Sequence, residues 1–245
     1  MDSLEEREFR LHADTEPYQE RIKKAETWVG YAFDRFEKPC LNYSGGKDSL
    51  VLLHLVAERC GYDDVDVYHF DNGLLNIPGT EDFVSKSIER IGGNLYRRTS
   101  EKVNSEEMLL EEGHGYAGFW GWYSRLQEQH EWSVRLLGIR ADESRQRRDR
   151  YGEPPISTDE EYTSAAPIHH LKTVDVWAYI VENGLEYHEI YDRQAELLDG
   201  MDDRDNRLVT LYDSEFDSLG SREVSQFLYP GRSNELRRLM HEHDE

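Results

Sequence analysis

Residues 39–60 decide the fold of this chain, and they read PCLNYSGGKDSLVLLHLVAERC. The first five residues of this stretch are mostly apolar and predict a short strand. The run from Leu50 to Cys60 predicts a buried helix, which Gly61 closes. Between strand and helix lies SGGKDS at positions 44–49. A strand, a glycine-rich turn and a helix in this order are typical of phosphate-binding α/β proteins.

The residue types of this loop all suit an anion. Gly45 and Gly46 let phosphate oxygens approach main-chain N–H groups. The helix that follows contributes its positive end and its unpaired N–H donors. Lysine adds a compact positive charge and the serines add hydroxyl donors, which is more than an ordinary turn requires. The predicted nucleotide-binding residues of the loop are Ser44, Gly45, Gly46, Lys47, Asp48 and Ser49.

Strands and helices alternate around the loop. Further strands are predicted at 65–70, 94–98, 134–139 and near 164–168, and helices at 17–36, 80–91 and 174–182. Continuous apolar strands, such as VRLLGI at 134–139, predict a parallel sheet that is covered on both faces. We expect an N-terminal helical segment at 1–37, a nucleotide-binding α/β domain at 38–192, and a mostly helical or irregular C-terminal appendage at 193–245.

The chain is strongly acidic. Its 245 residues include 51 Asp and Glu against 29 Lys and Arg, which gives a formal charge of -22 and a pI near 4.8. Such a chain repels nucleic-acid phosphates, so no direct nucleic-acid binding is expected. An acidic surface that is poor in lysine also suggests a halophilic protein of a high-salt cytoplasm. Neither a secretory signal nor an apolar run of membrane-spanning length is seen, which predicts a cytoplasmic protein without a membrane partner.

SGGKDS is neither a P-loop nor a GxGxxG fingerprint. It resembles the PP-loop of the adenine nucleotide α-hydrolase superfamily, and within it the phosphoadenosine phosphosulfate (PAPS) reductase family, which includes the small subunit of ATP sulfurylase. Three further segments are similar to that family. They are HFDNG at 69–73 with Thr80-Glu81, LGIRADESR at 137–145, and the stretch from Pro167-Ile168 through TVDVWAYI at 173–180.

The resemblance implies an α/β fold with a doubly wound, mainly parallel, Rossmann-like sheet. The nucleotide would lie across the carboxyl ends of the strands, near Asp71 and Gly138; a plain turn aspartate is an equal alternative for Asp71. Asp142 and Glu143 would orient nearby arginines or bind magnesium. A second anion, such as a sulfate or the β- and γ-phosphates, would be held by Arg140, Arg145 and Arg148; an ordinary solvated charge run is the alternative there. The catalytic residues implied are Lys47, Arg140 and Arg145.

Several other side chains have ambiguous roles. The aromatic cluster Tyr116, Phe119, Trp120, Trp122 and Tyr123 fits either a substrate pocket or a packed core. Trp177 and Tyr179 are assigned to helix packing. His169 and His170 lack the spaced partners of a metal site.

The resemblance ends at the cysteines. Thiol-dependent PAPS reductases carry a C-terminal nucleophilic cysteine, and this sequence has none after Cys60. Iron–sulfur members carry cysteines near the positions of Trp122 and Tyr123, so no iron–sulfur cluster is expected. Cys40 and Cys60 are interpreted as buried thiols, whereas sulfonucleotide reduction needs a thiolate.

Three functions are compatible with a PP-loop in a sequence that lacks the cysteine of the thiol-dependent reductases. The first is adenylyl transfer, in which an unknown oxyanion acceptor attacks the α-phosphate of ATP and pyrophosphate leaves in the loop. The second is PAPS reduction with an external thiol, and the third is a non-catalytic module that binds adenine nucleotides. The expected ligands are ATP or a PAPS-like nucleotide together with magnesium. A protein partner or a homo-oligomer is compatible with each.

Overall fold

The computed structural model describes residues 1, 3–71, 76–98, 115–159 and 162–197. The strands in this part are β1 Pro39–Asn42, β2 Asp66–Phe70, β3 Asn94–Arg98, β4 Val134–Leu137, β5 Ile156–Thr158 and β6 Thr163–Ala165. The helices are α1 Ser3–Ala13, α2 Glu16–Arg35, α3 Lys47–His54, α4 Thr80–Ile91, α5 Gly115–His130, α6 Arg145–Arg150, α7 Thr173–Glu182 and α8 Ile190–Leu197. Within these ranges, every helix is too short or too polar to cross a membrane.

The six strands form one sheet with the order β3-β2-β1-β4-β6-β5. All pairs are parallel except β5 with β6, which is antiparallel at one edge. The chain runs outward from β1 to β3 and then resumes on the other side of β1 with β4. The direction of winding therefore reverses between β1 and β4, which is where ligands bind in sheets of this kind. The predicted doubly wound, mainly parallel sheet is confirmed.

Apolar side chains cover both faces of the sheet. Leu41 of β1 and Val67 of β2 belong to one core, which also contains residues of α3 and α7. Their neighbours Cys40 and Tyr68 belong to a second, smaller core with Tyr123 of α5 and Trp132. This alternation follows from the two-residue period of a strand. It explains why the strands look continuously apolar in the sequence.

Some element boundaries differ from those predicted. The helix expected at 50–60 begins at Lys47, inside the loop, and ends in a π-helical turn at Leu55–Arg59. Thr80 was expected to cap its helix but is the first helical residue of α4, because Gly79 takes the cap position with φ +90°. A strand near 164–168 is confirmed as β6. The sequence also predicts helical pieces over 104–131 that are broken by the glycines around 113–121, but the described part of this stretch is the single helix α5, Gly115–His130. Residues 104–114 and the appendage beyond residue 197 lie outside the described residues.

The N-terminal helices pack onto α7 around one buried carboxylate. Asp175 accepts two hydrogen bonds from Arg21, at 2.8 and 2.6 Å, and its Oδ1 lies 2.7 Å from His12 Nε2. Phe9 of α1 stacks on Trp177 with ring centroids 6.3 Å apart. The segment before β1 therefore shares a core with the sheet. The boundaries proposed at 37/38 and 192/193 stay predictions, and α8 crosses the second of them.

Asp175→Asn is expected to lower the free energy of unfolding at pH 7 by about 2–3 kcal/mol, since it weakens a buried ion pair with the partly exposed Arg21. Burial opposes ionisation of Asp175, but hydrogen bonds from Arg21 and His12 outweigh it and lower the pKa of this carboxyl. A lowered pKa stabilises the fold above the unfolded value of about 4. That stability is lost as the pH falls through the folded value.

Urea unfolding at a series of pH values from 7 to 3 tests this expectation. The wild type should lose more stability in acid than Asp175→Asn does. The control Glu6→Gln, which breaks an exposed pair with Arg10, should change stability by less than about 0.5 kcal/mol. If the free energy of unfolding depended on pH equally in the wild type and in Asp175→Asn, the stabilising role of this carboxylate would be contradicted.

Candidate functional site

The SGGKDS loop follows β1 at the carboxyl end of the sheet. Gly45 has φ +78°, in the left-handed region that glycine favours. Gly46 is extended and caps α3. Ser44 Oγ lies 3.1 Å from Ser49 Oγ and accepts a hydrogen bond from the Gly46 N–H, while Ser49 Oγ donates to the Gly46 carbonyl at 2.9 Å. The two serines thus fix the shape of the loop.

The first turn of α3 carries main-chain donors for an anion. Within the described residues, the N–H groups of Asp48 and Ser49 make no hydrogen bond. Lys47 N–H donates to the hydroxyl of Tyr191 at 3.0 Å. Unpaired N–H groups and the helix dipole together attract negative charge. This turn can therefore hold a phosphate group.

Gly138 lets β4 approach the first turn of α3. A Cβ at this position would lie 2.7 Å from Ser49 N and 2.9 Å from the carbonyl carbon of Asp48, closer than side chains tolerate. The structure therefore gives Gly138 a packing role behind the loop. A direct contact of Gly138 with nucleotide stays a prediction.

Lys47 points into the protein. Its side chain is fully buried, and Nζ lies 3.1 Å from Asp48 Oδ2 and 5.5 Å from the centre of the Tyr191 ring. The expected contact with phosphate is not visible in this arrangement, and it stays a prediction. Sequence reasoning did not identify Tyr191, which lies 144 residues away in the chain and carries no phosphate-binding signal.

Arg140 connects the end of β4 to the loop. Its Nε donates to Asp48 Oδ1 at 2.5 Å, and its Nη1 donates to Asp142 Oδ1 at 2.7 Å and to Thr173 Oγ1 at 2.9 Å. Burial of this side chain opposes its charge, but Asp48 and Asp142 outweigh that effect and raise the pKa of Arg140. Arg140 is thus a buried brace of the first turn of α3. Its predicted catalytic and anion-binding roles are still to be tested.

Asp142 and Glu143 are engaged with arginines. Asp142 accepts from Arg140 and from the Thr173 N–H, and Glu143 Oε2 accepts from the Arg140 N–H at 2.7 Å and from Arg147 at 2.6 Å. Sequence reasoning did not identify Arg147. In this geometry both carboxylates orient arginines, and their binding of magnesium stays a prediction. No group of three or more His, Cys, Asp or Glu in the described ranges is arranged to hold a metal ion.

Arg145 and Arg148 lie on the exposed face of α6. The side chain of Arg145 is 92% exposed, and its nearest carboxylate is Asp149 at 3.6 Å. Both arginines are open to solvent beside the buried Arg140 brace. Their roles as catalytic and second-anion residues stay predictions.

Asp71 ends β2 and joins a polar network. The Asn76 side-chain amide donates to Asp71 Oδ1 at 3.4 Å and to Glu81 Oε1 at 2.8 Å. His69 donates through Nδ1 to the Tyr43 carbonyl at 2.7 Å, and its Nε2 lies 3.0 Å from Glu81 Oε1. Burial opposes ionisation of Glu81, but His69 outweighs it and lowers the pKa. The network links the ends of β1 and β2, and both the nucleotide-binding and the plain turn interpretations of Asp71 stay predictions.

Neither cysteine is a ready nucleophile. Cys40 is fully buried in β1, and burial raises the pKa of its thiol well above the usual value. Cys60 is partly buried, and burial raises the pKa of its thiol to about 11. Both thiols are therefore protonated at neutral pH, whereas sulfur chemistry requires the thiolate.

The remaining candidates are structural where they are described. Trp177 and Tyr179 are buried in the core, which confirms their assignment to packing. His169 Nε2 and His170 Nε2 lie within hydrogen-bond distance of the Arg147 and Arg21 carbonyls. Tyr123 is buried against Tyr68. The other aromatic side chains of this cluster, Tyr116, Phe119, Trp120 and Trp122, lie outside the described part.

Sequence comparisons identify relatives of this chain. The family model for the phosphoadenosine phosphosulfate reductase domain matches residues 38–226. The uncharacterized protein MJ0066 of Methanocaldococcus jannaschii is 26% identical over 210 residues, which cover 78% of this chain and 42% of that protein. The chain thus spans less than half the length of this curated relative.

Solved structures share the fold. The FMN adenylyltransferase of Candida glabrata in complex with ATP has a TM-score of 0.57 and 19% identity, covering 73% of this chain and 60% of that chain. The phosphoadenylyl-sulfate reductase of Candida auris has a TM-score of 0.52 and 18% identity, and the match covers 69% of this chain and 84% of that chain. At these identities the likeness extends to the fold alone.

Proposed function

Because the chain belongs to the phosphoadenosine phosphosulfate reductase domain family, we propose that it binds ATP at the 44–49 loop and transfers the adenylyl group to an oxyanion acceptor. The observation that carries the proposal is the first turn of α3. Its Asp48 and Ser49 N–H groups lie at the carboxyl end of a parallel sheet, where the strand order reverses. An anionic pyrophosphate group suits these donors.

The reaction proposed is a displacement at the α-phosphorus. The acceptor oxygen forms a bond to that phosphorus, the bond to the α–β bridging oxygen breaks, and pyrophosphate leaves with the electron pair. An acceptor that is already an anion needs no general base. Main-chain N–H groups of the loop would stabilise the leaving group, with Lys47, Arg140 and Arg145 as the catalytic side chains and Arg148 helping to hold the second anion. An adenylyltransferase with this fold, solved with ATP, supports this choice.

PAPS reduction is the second candidate, favoured by the family match and by the reductase of Candida auris. It requires a thiolate, and the two thiols of this sequence are held protonated by burial. A reductase of this kind would depend on a thiol supplied by another molecule. The proposal keeps a cytoplasmic location and magnesium as predictions.

A purified-protein assay separates the two candidates. The full chain is incubated in high KCl with magnesium and either ATP labelled at the α-phosphate or PAPS labelled at sulfur, with and without thioredoxin. Labelled AMP or an adenylate appearing together with pyrophosphate supports the proposal. Sulfite released from PAPS would contradict it and support the reductase. ATP binding without turnover would support the third function, a non-catalytic module that binds adenine nucleotides.

Gly45→Ala is expected to weaken ATP binding at least tenfold, because alanine disfavours φ +78° and the loop would lose its shape. Gly61→Ala is the matched control, since Gly61 has φ +77° and open space around its Cβ position. Both substitutions should lower the free energy of unfolding by about 1–2 kcal/mol. Calorimetric titration with ATP checks the difference. Equal affinities in the two variants would contradict the placement of nucleotide at this loop.

A further inference from the structure

Tyr191 of α8 contacts the phosphate loop through two different groups. Its hydroxyl accepts the hydrogen bond from Lys47 N–H at 3.0 Å, and its ring centre lies 5.5 Å from Lys47 Nζ. Lys47 is the first residue of α3, so its N–H is one of the donors that a helix cannot satisfy internally. The hydroxyl of Tyr191 therefore accepts from this donor, in the place where an oxygen of a nucleotide would be expected.

The position of Tyr191 is fixed by the core and not by the loop. The side chain is 1% exposed. Its ring packs edge-on against Trp177, with centroids 5.4 Å apart, and against Tyr187 at 6.4 Å. The preceding residue, Ile190, is fully buried. A buried ring that packs against two other aromatic rings in this way can support the loop.

The same contact determines where the Lys47 side chain lies. The ammonium group is buried between Asp48 Oδ2, at 3.1 Å, and the Tyr191 ring. An aromatic face attracts a buried cation more strongly than it attracts one in water. With Lys47 held inward and its N–H capped, the N–H groups of Asp48 and Ser49 are the donors in this turn that have no acceptor among the described residues.

We propose that Tyr191 is a positioning residue for phosphate binding, which fixes Lys47 and directs the nucleotide phosphates to the Asp48 and Ser49 N–H groups. The proposal rests on the proposed function, because it assumes that nucleotide binds at the loop. Through Tyr191, α8 would influence the binding of the phosphate part of the ligand, although α8 lies outside the sequence motifs. Binding of the adenosine part would not change.

Three variants separate the hydroxyl from the ring. Tyr191→Phe removes only the hydroxyl, and Tyr191→Leu removes the ring as well. Tyr187→Phe is the matched control, because this tyrosine belongs to the same aromatic cluster but donates its hydroxyl to Asp192 at 2.8 Å. Calorimetric titration of the full chain with ATP, inorganic pyrophosphate and adenosine gives the readout. Adenosine reports any general damage to the fold.

Tyr191→Phe is expected to weaken ATP and pyrophosphate binding about five- to tenfold, the loss of roughly one hydrogen bond, and to change adenosine binding less than twofold. Tyr191→Leu should weaken phosphate binding further, and Tyr187→Phe should leave all three affinities unchanged. Equal losses for the three ligands would overturn the proposal in favour of a purely structural role. Tighter ATP binding would also overturn it, since the hydroxyl would then compete with phosphate.

Failure of the proposed function has a different signature. If the wild type bound neither ATP nor pyrophosphate, the nucleotide site itself would be refuted, and the inference with it. If the wild type bound both and Tyr191→Phe bound them within twofold, only the positioning role would be refuted.

Discussion

Arg140→Ala is expected to lower the free energy of unfolding by about 3–5 kcal/mol, the cost of leaving a buried charge without its partner. The arginine side chain is 1% exposed, and it holds Asp48 of α3 and Asp142. Without it, the Asp48 carboxylate keeps only Lys47 as a described partner. Because Asp48 lies in the first turn of α3, ATP affinity is expected to fall at least tenfold as well. Denaturant unfolding and calorimetric titration measure the two effects.

Two further variants show whether charge or geometry matters at this position. Arg140→Lys keeps the charge but loses the fork that reaches Asp48 and Asp142 together, so it should recover only part of the stability. Arg10→Ala is the control, because this arginine forms an exposed pair with Glu6 on α1 and should cost less than about 1 kcal/mol. If Arg140→Ala lowered the free energy of unfolding by less than about 1 kcal/mol, the role of Arg140 as a brace would be contradicted.

Gly138→Ala is expected to destabilise the protein by about 1–3 kcal/mol, the usual cost of overpacking, and to weaken ATP binding at least tenfold. The added methyl would lie 2.7 Å from Ser49 N and 2.9 Å from the Asp48 carbonyl carbon. Both are backbone atoms, which cannot rotate away as a flexible side chain can. Relief requires α3 to move away from β4, and the first turn of α3 moves with it.

Gly30→Ala is a control that is expected to change the stability of the protein in the opposite direction. Gly30 lies within α2 and has open space around its Cβ position. Alanine there should stabilise the helix by about 0.5–1 kcal/mol and leave ATP binding unchanged. Thermal unfolding and ATP titration of both variants make the comparison. A Gly138→Ala protein with wild-type melting temperature and ATP affinity would contradict the close approach of β4 to α3.

The fold was predictable because it depends on local patterns. The apolar runs at 39–43 and 134–139 and the glycines at 45–46 specify strands and a turn without reference to distant residues. Those patterns correctly predict the parallel sheet and the position of the loop between β1 and α3. The departures, such as the π-helical turn at Leu55–Arg59, are changes of a few residues at element ends.

The candidate site was less predictable because its contacts join distant parts of the chain. Arg140 reaches Asp48 across 92 residues, and Tyr191 reaches Lys47 across 144. A single sequence reveals that these residues are charged or aromatic but not which of them meet. Lysine and arginine predict ligand contacts, which stay predictions, but the burial of Lys47 and Arg140 against carboxylates is not visible in the sequence. That no cysteine follows Cys60 in this sequence, by contrast, needs no knowledge of distant contacts.

The burial of Lys47 has a consequence for how the proposed site would respond to salt. Its charge is already balanced by Asp48, so attraction of a phosphate at this turn depends mainly on main-chain N–H dipoles at contact distance. Mobile ions screen exposed charges over long range but weaken buried contacts at short range much less. Phosphate affinity at this turn is therefore expected to depend less on ionic strength than anion binding by the exposed Arg145 and Arg148 does.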